Sequence, residues 1–211
     1  MSFRFEKKVL FHNSDYLKLK KIISDSKGIQ LYPKRIIESL YFENSLHQTF
    51  LDSEEGCMPR KKIRIRTYPN EQKKITSLEK KISSVEGRFK LTEKISKYEY
   101  KSFLKNGIFD NQYGICYPIL WVRYEREYYY LLENRITIDK NIKFIDYASN
   151  NQFYDNDTLI LEVKSKKMNY KIFENFPQFT EVRISKFSNG MTKVFKGILS
   201  KKTNFISNER I

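Results

Sequence analysis

Arg60-Lys61-Lys62-Ile63-Arg64-Ile65-Arg66-Thr67-Tyr68 is the stretch whose alternation decides how the chain is read. A β-strand sends successive side chains to opposite faces, so Arg60, Lys62, Arg64, Arg66 and Tyr68 share one face and Ile63, Ile65 and Thr67 the other. The cationic face calls for an anion laid along it, because like charges in a row repel. The apolar face calls for a hydrophobic cover. A solvated edge strand whose Lys and Arg discourage aggregation would give the same nine residues, so recurrence elsewhere in the chain decides between the two.

The pattern recurs. Phe3–Phe11 reads as a strand with Arg4, Glu6 and Lys8 on one face and Phe3, Phe5 and Val9 on the other. Ile75–Ser83 sets Glu79 and Lys81 opposite Leu78 and Ile82. A strand opened by Pro118 aligns Trp121, Arg123 and Glu125, and its hairpin partner from about Glu133 to Asp139 aligns Glu133, Arg135, Thr137 and Asp139 against Ile136 and Ile138. Thr158–Ser165 sets Glu162 and Lys164 opposite Leu159, Leu161 and Val163. Polar on one face and apolar on the other, six times over, fits an α+β fold: a closed antiparallel β-barrel whose lumen holds the charges while helices cover its outside.

Helices are expected where an apolar stripe can serve as that cover. One runs from a cap at Asn13 or Ser14 to about Lys27, with Leu17, Leu19, Ile22 and Ile23 as its stripe and Gly28 as its stop. A short helix is expected over Ser45–Asp52, after a strand over Ile36–Phe42, and a longer one over Thr92–Lys105, stopped by Asn106-Gly107. The tail reads as helical over Asn169–Phe176, Gln178–Phe187 and Met191–Phe205. A single domain over residues 1–211 is the expected organisation.

The chain has 211 residues with 40 Lys plus Arg against 25 Asp plus Glu, a formal net charge of +15. Such an excess points to a polyanionic partner: nucleic acid, an anionic membrane or a phosphate-rich small molecule. No apolar run reaches the roughly 18 to 20 residues of a membrane span, and the N-terminus alternates instead of offering a signal-peptide core, so a cytoplasmic location is expected. Cys57 and Cys116 lie far apart without metal-type spacing, and His12 and His47 have no companions for a metal cluster. Neither a P-loop, nor a dinucleotide fingerprint, nor a Ser-His-Asp set is present.

These motifs, in order, resemble the VTC domain of polyphosphate polymerases, a branch of the triphosphate tunnel metalloenzyme superfamily. The resemblance runs from about Phe3 to Gly190. Its carriers are Arg4-x-Glu6-x-Lys8, Ser39-Leu40-Tyr41-Phe42-Glu43-Asn44, the Arg60–Tyr68 stretch, Leu78-Glu79-Lys80-Lys81, Val122-Arg123-Tyr124-Glu125-Arg126, Arg135-Ile136-Thr137-Ile138-Asp139, Leu161-Glu162-Val163-Lys164 and Ser185-Lys186-Phe187. The resemblance implies a tunnel of about eight antiparallel strands in which cations hold the triphosphate of ATP and a growing polyphosphate chain. It implies a catalytic set of Lys8, Arg64, Arg66, Lys81, Arg123, Arg135, Glu162 and Lys186, with Arg4, Arg60, Lys62, Arg126 and Lys164 as further substrate contacts. Glu162 and Glu6 are the implied holders of Mn²⁺ or Mg²⁺, ions that prefer hard oxygen ligands. Expected partners are ATP and polyphosphate or triphosphate, without a specific nucleic acid. Hydrolysis of triphosphate and passive polyanion binding stand as the alternative activities, and the oligomeric state is left open.

Overall fold

The computed structural model describes residues 5–71, 75–165 and 182–196 of the chain. In order, these form β1 (Phe5–His12), a 3-10 turn (Asn13–Asp15), α1 (Tyr16–Asp25), β2 (Ile29–Glu43), α2 (Gln48–Glu55), β3 (Arg60–Thr67), β4 (Ser77–Ser84) and β5 (Gly87–Lys94). Then follow α3 (Lys97–Asn106), β6 (Ile108–Asp110), β7 (Gly114–Leu131), β8 (Asn134–Asp146), β9 (Gln152–Asp155) and β10 (Thr158–Ser165). Residues 186–196 are helical and are called α4.

The strands hydrogen-bond in the order β1-β10-β8-β7-β2-β3-β4-β5, with β6 beside β7 and β9 beside β8. This is a large antiparallel sheet in an α+β chain. Its hydrogen-bonded path has two ends, where the sequence reading expects closure into a barrel. Each end is protected in a different way. At β1, the backbone N–H of Val182 donates to Lys8 O at 3.0 Å, so segment 182–184 lies along that edge. β5 is exposed along most of its length and carries Arg88, Lys90, Glu93 and Lys94, the charges with which edge strands resist pairing with other chains.

The chain groups into two compact units. Unit 1 gathers the residues up to Ile37, Arg123–Ile142 and Tyr154–Ile184; unit 2 gathers Glu38–Val122, Lys143–Phe153 and the residues from Ser185 on.

In unit 1 the apolar alternates of the strands form a core of Val9, Tyr129, Leu131, Ile136, Ile138, Leu159, Leu161 and Val163, completed by Leu19 and Ile23 of α1. The helix covers the apolar face of the strands, as their alternation demands. Leu17 is the exception in the expected stripe and stays 77% exposed. Gly28 ends the helical segment with its N–H on Ile23 O at 2.8 Å, and a Cβ there would stand 2.5 Å from Ile23 Cγ2.

In unit 2 the core is Leu40, Phe42, Ile63, Ile65, Leu78, Ile95, Ile108, Tyr113 and Cys116, with Tyr100, Phe103 and Leu104 of α3 packed against it. Here the sequence reading needs two corrections. The helix expected from Thr92 starts only at Lys97, where Ser96 and Glu99 form a reciprocal cap. Gly87–Lys94 is a strand instead, turned back on β4 with Ser84 opposite Gly87. The helix expected over Gln178–Phe187 is not formed at 182–185, and the gap left before the one expected from Met191 is absent, because α4 starts at Lys186 and runs through Ser188, Asn189 and Gly190. A Cβ at Gly190 would lie 2.6 Å from Leu120 Cδ2 and 2.7 Å from Phe144 Cδ1, so this glycine admits close packing and does not end a helix. The helix expected over Asn169–Phe176 lies outside the described residues.

Candidate phosphate and metal site

In unit 1 the face opposite the core is built from alternating opposite charges. Strand register sets Glu6 opposite Lys164 and Lys8 opposite Glu162, then Glu162 opposite Thr137 and Lys164 opposite Arg135. Cross-strand pairs of this kind attract. Glu162, only 5% exposed, meets Lys164 Nζ at 2.8 Å and Arg126 Nη2 at 3.6 Å. Arg126 also forks onto Asp139, with Nε on Oδ1 at 2.5 Å and Nη2 on Oδ2 at 2.7 Å. Glu6 pairs with Lys8 at 3.2 Å and Lys164 at 3.6 Å, and Lys8 Nζ donates to Ile184 O at 3.2 Å. Burial by itself would raise the Glu162 carboxyl, but Arg126, Lys164 and Lys8 outweigh it and hold the group well below its ordinary range. Glu162 is therefore ionised at neutral pH although buried.

The corresponding face of unit 2 is more cationic. Register sets Tyr41 opposite Arg64 and Ser39 opposite Arg66, Arg64 opposite Glu79 and Lys62 opposite Lys81, and Lys81 opposite Lys90. Arg64 Nε donates to Glu79 Oε2 at 2.7 Å and Nη1 to Tyr41 Oη at 2.9 Å. Arg66 donates to Ser39 Oγ at 3.2 Å and stands 3.8 Å from Glu79 Oε2. Lys90 pairs with the other Glu79 oxygen. Burial pushes Glu79 up, yet Arg64, Arg66 and Lys90 bring it down to about 2. Lys62 Nζ donates to Ser185 Oγ at 2.7 Å and lies 5.5 Å above the Phe187 ring, which in turn stacks on Tyr41 at 4.9 Å. Buried guanidinium groups grouped around one carboxylate suit phosphate oxygens, which they grip in two-pronged contacts.

The structure thus gathers Glu6, Lys8, Arg126, Arg135, Glu162 and Lys164 on unit 1, and Lys62, Arg64, Arg66 and Lys81 on unit 2, where Lys186 opens α4. Arg60 starts β3 on the same side as Lys62 but turns its guanidinium to Gly56 O and Cys57 O, at 3.2 and 3.0 Å. Arg123 is exposed, and strand alternation puts it on the side of β7 shared with Glu125 and Glu127, opposite to Arg126. Arg4 lies outside the described residues. Sequence reasoning left Asp139, Thr137, Glu79, Tyr41 and Lys90 off its site set. Thr137, Asp139 and Glu79 alternate in phase with the chosen Arg135 and Lys81 and were legible by that phase; Tyr41 lies on β2, which carries no chosen residue, and Lys90 was hidden by the misread β5.

Among the described residues no group of three or more His, Cys, Asp or Glu side chains could hold a metal ion. Mg²⁺ and Mn²⁺ need no such group where substrate phosphates complete the shell. Glu162 is an ionised hard-oxygen donor, and beside it Thr137 Oγ1 is buried with no hydrogen-bond partner among the described residues. An orphaned oxygen next to an ionised carboxylate fits a hard divalent ion bridged to phosphate.

No helix among the described residues is long and apolar enough to cross a membrane. Cys57 and Cys116 are free thiols.

No curated protein matches the chain. Among solved structures, the fold is similar to that of a candidate adenylate cyclase from Bacillus halodurans, with a TM-score of 0.60 and 16% identity over 88% of this chain and 96% of that one. It is also similar to a protein from Pyrococcus horikoshii, with a TM-score of 0.54 and 15% identity over 90% of this chain and 99% of that one. At such identities the likeness concerns the fold. The VTC domain family model matches residues 3–195. With that match spanning both charged faces and both cores, the chain belongs to the VTC domain family.

Proposed function

We propose that the chain is a metal-dependent phosphotransferase of the polyphosphate polymerase kind, moving the γ-phosphoryl group of ATP onto the end of a growing polyphosphate chain. The observation that carries this reading is Glu162, a buried carboxylate kept ionised among Arg126, Lys164 and Lys8. A passive binder of polyanions gains nothing from burying a negative charge among its cations. An enzyme that needs a divalent ion beside phosphate does.

In the proposed reaction a terminal phosphate oxygen of the polymer forms a bond to the γ-phosphorus while the bond from that phosphorus to the bridging oxygen breaks, releasing ADP. The protein's part is positioning and charge neutralisation, so this chemistry calls for neither a nucleophile nor a histidine base. Arg64, Arg66, Lys62 and Lys81 serve as phosphate clamps on unit 2, and Lys8, Arg126, Arg135 and Lys164 do so on unit 1. Lys186 and Arg123 are included on the family resemblance alone. A bound Mg²⁺ or Mn²⁺ would supply further neutralisation of the developing charge, with Glu162 as its holder and Glu6 paired to the same lysine, Lys164. The resemblance of the ordered motifs to polyphosphate polymerases carries the choice of acceptor, a phosphate chain end.

The test is incubation with ATP and Mn²⁺, followed by gel analysis for a polymer ladder and an assay for free phosphate. A ladder supports synthesis, free phosphate without a ladder replaces it by triphosphate hydrolysis, and neither product leaves a binding protein. Glu162→Gln should abolish turnover while retaining nucleotide binding, because the amide keeps the shape and loses the charge. Full activity in that variant would remove Glu162 from the site.

A further inference from the structure

We infer that Thr137 is a second protein oxygen ligand for the divalent ion held at Glu162. The inference rests on the reading of Glu162 above and adds a residue to which that reading gives no role.

Thr137 lies directly across from Glu162 in the β8–β10 pairing, between Arg135 and Asp139 on the charged face of its strand. It is 2% exposed, and Oγ1 makes no hydrogen bond among the described residues. Leaving a buried hydroxyl unsatisfied costs about 1 to 3 kcal/mol. Valine has nearly the same shape and is at least as well suited to a strand. The neighbouring positions show that the strand accepts plain aliphatic residues, since Ile136 and Ile138 are fully buried on the opposite face. No group among the described residues supplies that hydroxyl with a partner, and a bound ion would.

The surroundings specify that partner. Asp139 is engaged by the Arg126 fork, whereas Glu162 Oε2 meets Arg126 only at 3.6 Å and retains acceptor capacity for a closer cation. A second hard oxygen directly across the strand pair suits Mg²⁺ or Mn²⁺, which take one or two protein oxygens and fill the remaining positions with phosphate and water. A hydroxyl is also the ligand by which P-loop proteins hold Mg²⁺ beside phosphate.

The test uses Thr137→Val, Thr137→Ser and Glu162→Gln in the full chain, with Mn²⁺ binding followed by electron paramagnetic resonance in the presence of inorganic triphosphate. Thr137→Val is expected to weaken Mn²⁺ binding about 10-fold, by analogy with the loss of other supporting groups at metal sites. Its melting temperature without metal should stay the same or rise, since an unsatisfied polar atom has gone. Thr137→Ser, which keeps the oxygen, should bind Mn²⁺ nearly as the parent does. Unchanged Mn²⁺ affinity in Thr137→Val would overturn the inference, as would a lower melting temperature, which would mean that the hydroxyl serves the fold. If Glu162→Gln also leaves Mn²⁺ binding intact, the metal reading of Glu162 itself fails. If Glu162→Gln abolishes binding and Thr137→Val does not, only the role of Thr137 fails.

Discussion

The charged faces of the two units meet the same electrostatic demand in different proportions. On unit 1, Glu6, Asp139 and Glu162 are interleaved with Lys8, Arg126, Arg135 and Lys164, and single cations bridge two carboxylates. On unit 2, Arg64, Arg66 and Lys90 converge on Glu79 alone, in a face that also carries Lys62 and Lys81. A face of the first kind is close to neutral without a ligand and can keep a carboxylate for a metal. A face of the second kind holds surplus positive charge, which is best relieved by phosphate. The difference teaches that alternation alone does not give a residue its role; the ratio of anions to cations around it does.

If the faces differ in this way, removing a cation from unit 1 should first damage the fold, and removing one from unit 2 should first damage binding. Arg126→Ala removes the guanidinium that forks onto Asp139, a carboxylate 0% exposed, and so takes away charge compensation from a buried group. Loss of about 3 to 5 kcal/mol of unfolding free energy is expected, measured by denaturant titration. A loss below about 1 kcal/mol would show that Asp139 has other means of compensation and would break the contrast.

The next effect is a pH dependence. The Glu79 carboxyl is held at about 2 in the folded protein against an ordinary 4.5. A depressed folded value means that its contribution is fully present above the ordinary value and is lost as pH falls from about 4.5 toward about 2; by linkage this amounts to about 3 kcal/mol. Glu79→Gln should therefore be less stable than the parent at pH 7, and the two should converge by about pH 2. Parallel acid-unfolding curves would show that Glu79 does not anchor the cations of unit 2.

How much of this was open to sequence reasoning follows from the same physics. The faces of β1, β3 and β10 were legible because each has apolar residues on one side that demand cover, as Ile63, Ile65, Leu161 and Val163 do. β5 was not, since both of its sides are largely exposed and no burial imposes a pattern on it. In β7 the series Arg123, Glu125, Glu127 and the series Tyr124, Arg126, Tyr128 alternate equally well, so the phase is set by the partner across the strand, Asp139, and not by β7 itself. Gly190 falls between two expected helices in the sequence, and the reason it belongs inside one, Leu120 and Phe144 packed against it, is not visible there. The hydroxyl of Thr137, without a partner among the described residues, has no counterpart in sequence, where it is one more β-branched residue in a strand.

The most direct measurement is inorganic triphosphate affinity, at low and high salt, for Arg66→Ala beside a variant with Lys101 and Lys105 of α3 neutralised. Arg66 is buried on the charged face of unit 2, and Glu79 keeps Arg64 and Lys90 when it is gone, so the fold should hold. The two lysines are exposed on the helix that covers the opposite, apolar side of the same unit. The account predicts that Arg66→Ala costs at least about 2 kcal/mol of binding, as expected for a desolvated two-pronged contact, that Arg66→Lys restores little of it, and that the α3 variant binds as the parent does at both salt concentrations. Equal losses in the two variants, both vanishing at high salt, would mean that triphosphate is held by the general basic surface and would contradict the account.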